Sequence, residues 1–177
     1  PTPLSAVING GAQYTTSPDV TVRVHATDFS SGVRYVHLSN DNWTSTHVRD
    51  LPPAEGDFTR DIPWNLTTNA PGDGLKKVWV KFCDAQNYCS DNYGLQPAQI
   101  TLNTAPPTGA YSSPTAGAAV RDQASLAVTV TDNGSGIQYV EFKAEYAGTW
   151  HTIYKDYVAP YQFTWDVTGV PDDDAIV

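Results

Sequence analysis

Methionine is absent from the 177 residues, and lysine plus arginine number only 10 against 19 aspartates and glutamates. A formal charge of −9 repels phosphate backbones and anionic bilayer surfaces, which argues against nucleic acid as a partner and against membrane insertion. No apolar run approaches the roughly 18 residues of a spanning helix, and the opening residues are not expected to be a leader segment. A sequence without methionine that opens on Pro1 is expected to be a piece of a longer polypeptide. Glutamate is scarce as well, occurring only as Glu55, Glu141 and Glu145. Many of the remaining acids are aspartates beside Gly, Asn, Ser or Pro, where the side chain caps a turn by accepting backbone N–H bonds.

Cysteine is nearly missing. Cys83 and Cys89 stand in Phe82-Cys83-Asp84-Ala85-Gln86-Asn87-Tyr88-Cys89, a spacing too wide for a C-x-x-C redox pair and without a neighbouring histidine for a metal. A disulfide stapling the two arms of a hairpin fits best, and it implies an oxidising, extracytoplasmic location. Catalytic signatures are lacking too. There is no Gly-x-Ser-x-Gly elbow, no phosphate-binding Gly-rich loop and no facing pair of glutamates. The chain is read as non-enzymatic.

What is present is a strand grammar. Hydrophobic residues reach 40% and aromatics 11%, enough for packed cores, and 13 Gly and 13 Pro are spread along the chain. Val22, Val24 and Ala26 alternate with Arg23, His25 and Thr27, the pattern of a half-buried strand. Val36 and Leu38 alternate with Tyr35 and His37. Val78, Val80 and Phe82 alternate with Lys77, Trp79 and Lys81. No helical period competes.

The grammar is written twice. The segment from Val22 to Leu38 aligns without gaps to Leu126 to Phe142, pairing Thr27-Asp28 with Thr131-Asp132 and Ser31-Gly32 with Ser135-Gly136. Trp43 matches Trp150, and Trp64-Asn65-Leu66-Thr67 matches Trp165-Asp166-Val167-Thr168. A repeat of about a hundred residues is domain-sized. The predicted architecture is all-β: two tandem immunoglobulin-like antiparallel β-sandwiches, residues 1–104 and 105–177, joined near Asn103–Gly109 through the stiff Pro106-Pro107 pair. Setting Trp165 on Trp64 leaves no counterpart of Val78 to Leu102, so the second module is expected to lack its last strands, supplied by a continuing chain or another segment.

The run Asp-x-x-Ser-Gly-Val, followed by Gly72-Asp73-Gly74-x-Lys76-x-Val78-x-Val80-x-Phe82-x-Asp84-Ala85-x-Asn87, resembles bacterial extracellular Ig-like repeats, themselves similar to fibronectin type III modules. The resemblance covers nearly the whole chain and implies a secreted or cell-surface setting. Gln86 departs from it, standing where such repeats usually have Gly, so a different hairpin turn is expected.

In such a sandwich the strands carrying His25 and His37 lie in opposite sheets, so the two histidines cannot converge. His47 and His151 follow Trp43 and Trp150 without a ligand partner, and all four histidines are expected as solvated surface residues. Asp28 and Asp84 fall at one end of the first sandwich, with Asn87 and Asp91 close by, an oxygen-rich set suited to Ca²⁺ or simply to turn capping. No other cofactor is implied. Outward Trp79 and the loop residues Tyr88 and Tyr93 are the aromatics placed to stack on sugar or anchor a partner. Three functional classes compete. One is a structural spacer or assembly module contacting neighbouring domains of its own polypeptide or other copies of it. The others are an adhesion module for polysaccharide or a surface protein, and an accessory region of an extracellular hydrolase.

Overall fold

The computed structural model describes residues 1–90 and 95–171. The chain divides into two compact units, Pro1–Thr104 and Ala105–Val177.

Unit 1 is built around one long hairpin. Its arms are β3, Asp19–Ser39, and β4, His47–Asn65. Alternation drives both arms: along β3 the even positions from Val20 to Asp28 point inward. A register shift between Asp28 and Val33 then bends the strand, and pairing resumes at Val33 opposite Ala54. The hairpin thereby folds across itself, and its two ends lie in two facing layers.

The first half of β3 pairs with β1, Thr2–Ile8, and with the last half of β4. Its second half pairs with the start of β4 and with β5, Gly74–Asp84. Beyond β5 come β6, Ala98–Leu102, and β2, Tyr14–Thr15, the latter joined in parallel. Between the layers sit Val22, Val24, Val36, Leu38, Phe58, Val80 and Phe82, nearly or wholly removed from solvent. Trp64 closes the core at 6% exposure and donates its indole N–H to Asn40 Oδ1 at 2.6 Å.

Strand geometry runs through Asp28–Gly32 without a break into two strands. The reason lies across the ladder, where Ala54-Glu55-Gly56 bends in step and keeps Asp28 opposite Gly56 and Val33 opposite Ala54.

Unit 2 shows five strands among its described residues: β7 Thr108–Ser113, β8 Gln123–Thr131, β9 Val140–Tyr146, β10 Thr149–Asp156 and β11 Gln162–Asp166. β8 lies between β7 and β11, and β9 pairs with β10. Ala124, Leu126, Phe142, Ala144 and Trp165 form the core. The repeat is reproduced in register: Val20 faces Trp64 in unit 1, and its match Ala124 faces Trp165 in unit 2. The long arms of unit 1 are cut short here, because the β8–β11 ladder ends at Gln162. Two residues earlier stands Pro160, with no N–H to continue the ladder.

Candidate functional site

The polar groups singled out from the sequence gather at the bend of unit 1 and the hairpin that follows β5. Asp28 Oδ1 accepts backbone N–H bonds from Ser30 and Ser31 at 3.0 and 3.1 Å and the Ser30 hydroxyl at 3.1 Å. Its Oδ2 lies 3.3 Å from the Pro1 nitrogen. The Ser31 hydroxyl donates to Asp84 Oδ2 at 2.6 Å, tying the bend to β5. Asp84 Oδ1 in turn accepts the N–H groups of Gln86 and Tyr88 at 2.8 and 2.9 Å.

Three of the four carboxylate oxygens of the pair therefore already hold a donor from the bend or the hairpin. The structure brings Asp28 and Asp84 together as sequence reasoning expected, and a Ca²⁺ ion at this place would compete with these donors. Asn87 stands exposed at the turn, and Asp91 lies outside the described residues. Asn87 carries the left-handed backbone of the turn at φ 66°, so Gln86 needs no glycine-like conformation. The hairpin is held by the Asp84 carboxylate and the disulfide together.

Burial pushes the Asp28 carboxyl up, but the Ser30 and Ser31 N–H bonds and the Ser30 hydroxyl work against it and hold it below the ordinary carboxylate range. The Ser31 hydroxyl, aided by the Tyr88 and Gln86 N–H groups, likewise holds Asp84 below the ordinary carboxylate range against burial. Both groups bind protons less readily folded than unfolded. Their contribution is complete above about pH 4 and is lost as pH falls below it. Thermal melts of unit 1 from pH 7 downward are expected to hold steady to about pH 4 and then drop; Asp28→Asn should flatten that drop, and an unchanged acid limb in the variant would refute the assignment.

Cys83 and Cys89 form the expected disulfide. Closing so short a loop stabilises by about 2 kcal/mol in the chain-entropy view. Cys83 is 1% exposed, yet it lies outside the core cluster. It sits on the outer face of β5, opposite Tyr35 on β3, and diagonal to His37, whose Nε2 is 3.5 Å from its sulfur. Burial, aided by the nearby Lys81 charge, holds the His37 imidazolium pKa below its usual value.

The expectation of four solvated histidines is corrected throughout. His25 is bonded to Asp57, and the edge of His47 meets Trp64 with ring centroids 5.4 Å apart. His151 stacks on Tyr146 at 4.0 Å. Each ring has found the partner that a half-buried outer face supplies, which periodicity alone does not report.

The aromatic set named from the sequence is not one site. Trp79 is half-buried opposite Ser39, and it stands five residues before Asp84, about 16 Å along the strand. Tyr88 projects from the hairpin tip, 74% exposed. Tyr93 lies outside the described residues. Sequence reasoning missed Trp150, 55% exposed, and the pairing of Tyr139 with Tyr157, 5.7 Å apart with Lys155 over the Tyr139 ring. Period-two alternation marks such residues as outward, but it cannot say which outward rings remain uncovered.

Among the described residues, no helix is long and apolar enough to cross a membrane. The sequence profile of the bacterial Ig domain family matches residues 107–175. No curated protein matches the chain. A solved structure described as fibronectin(III)-like modules of Clostridium thermocellum CbhA aligns at 14% identity over 92% of this chain and 78% of its own, with a TM-score of 0.40. With a two-layered strand core of its own and this profile across nearly all its length, the second unit is a bacterial Ig-like domain.

Proposed function

We propose that this chain is a spacer segment of a larger secreted or cell-surface protein, setting the distance between the parts on either side of it. Ig-like domains are typically non-catalytic and commonly structural, and a surface disulfide belongs to an oxidising compartment. The observation that carries the reading is the clamp where the chain leaves unit 1. Asp73 accepts the Thr104 N–H at 2.7 Å and the Thr104 hydroxyl at 3.0 Å. Thr104 is the last residue of that unit, and Ala105-Pro106-Pro107 follow at once. A clamped exit feeding a stiff proline pair suits a part whose work is to fix separation.

Spin labels placed one per unit test this by pulsed dipolar spectroscopy. A spacer should give one narrow distance distribution, and Asp73→Ala combined with glycine at Pro106 and Pro107 should broaden it. A broad distribution in the unaltered chain would overturn the reading.

A further inference from the structure

The hairpin disulfide has a third member that the sequence does not announce. His37 arrives from the adjacent strand, one diagonal step across the ladder, with its ring on the same outer face as Cys83. A ring nitrogen of His37 and the two cysteine sulfurs all lie within 4.8 Å of one another. Two soft sulfur donors and one imidazole are the ligand chemistry of zinc. A tetrahedral zinc with bonds of about 2.3 Å to sulfur and about 2.0 Å to nitrogen sets those ligands about 3.5 Å apart. The His37 Nε2 to Cys83 Sγ separation is 3.5 Å. One edge of the tetrahedron is already in place.

We propose that, once the disulfide is reduced by a dithiol, His37, Cys83 and Cys89 form a three-ligand site for Zn²⁺ with water in the fourth position. The reductant's two thiols become its own disulfide, and the electron pair they give up opens the Cys83–Cys89 bond to two thiols. Zinc then displaces both thiol protons to solvent and makes two Zn–S bonds and one Zn–N bond. The sulfurs must part to about 3.8 Å for this geometry. Cys83 is fixed within β5, whereas Cys89 is exposed and lies outside any named strand, so the movement falls on Cys89. Lys81 pairs with His37 across the ladder, and its charge opposes the ion. The site is therefore of moderate affinity and is created by reduction. In the oxidised chain only His37 remains as a donor.

Cobalt is the probe, because tetrahedral thiolate coordination gives intense d–d and sulfur-to-cobalt charge-transfer absorption. The full chain, reduced by a dithiol that is then removed without air, should take up one Co²⁺ with this signature and release it to Zn²⁺. The oxidised chain should show neither band. His37→Gln should weaken binding at least about tenfold, and Cys89→Ser should abolish the charge-transfer band. Near-UV circular dichroism of each variant shows whether unit 1 is folded. Only the weak spectrum of aqueous cobalt in the folded, reduced chain would overturn the proposal. So would an affinity unchanged in a folded His37→Gln variant.

Discussion

Replacing Phe82 by alanine is expected to cost unit 1 about 3–5 kcal/mol, the range for deleting a buried aromatic ring. Phe82 is fully buried and sits on β5 opposite Val36, at the centre of the layer that carries the hairpin. Its ring meets Phe58 of the facing layer edge-on, with centroids 6.2 Å apart and planes at 79°, so the pair bridges the two layers directly. Such a contact adds about 0.5–1.5 kcal/mol beyond area burial. The backbone of Phe82 stays satisfied in the variant, because its bonds with Ser90 are main-chain on the Phe82 side. The loss is thus one of packing alone. In a thermal scan it should appear as a fall of about 12 °C or more in the unit 1 transition. The unit 2 transition should stay where it was, since every member of the core around Phe82 belongs to unit 1. A loss below about 1 kcal/mol would mean that the two layers do not close on this residue.

That core was largely legible in the sequence, for a plain reason. When one face of a sheet is buried and the other wet, period-two alternation is forced on the side chains, and Val22, Val24, Val36, Leu38, Val80 and Phe82 all fall where it puts them. The matched tryptophans were legible in the same way, and they occupy equivalent registers against Val20 and Ala124. What stayed hidden depends on which residue stands across the ladder. Lys76 has the inward phase of Val78 and Val80, and it is buried because its amine donates to the Ala70 carbonyl at 2.6 Å. In the sequence His37 reads as solvent-facing because its neighbours there offer it nothing; Cys83 comes to it only through the register of β3 against β5. Asp28 and Asp84 were correctly placed at one end of the sandwich. That Ser31 joins them is a matter of a single hydroxyl rotor and leaves no periodic trace.

Gly32→Ala and Gly136→Ala, equivalent by the repeat, should differ about threefold in cost. Both residues have a left-handed backbone, φ 69° and φ 83°, which charges any L-residue about 1–2 kcal/mol. Their surroundings part from there. A Cβ on Gly32 would lie 2.9 Å from the Ala54 carbonyl carbon and 3.0 Å from its oxygen, whereas a Cβ on Gly136 meets nothing within 4 Å. The obstacle is backbone in a paired strand and cannot swing aside. Either the bend opens or the β4 arm retreats from Val33, at a further cost of about 1–3 kcal/mol. Gly32→Ala is therefore expected to lose about 3–4 kcal/mol in urea titrations of unit 1, against about 1 kcal/mol for Gly136→Ala in unit 2. The contrast tests the crossing itself, because it arises only if the two arms of the hairpin bend past each other at Gly32. Equal losses at the two glycines would show that they do not, and the layered arrangement of β3 and β4 would have to be redrawn.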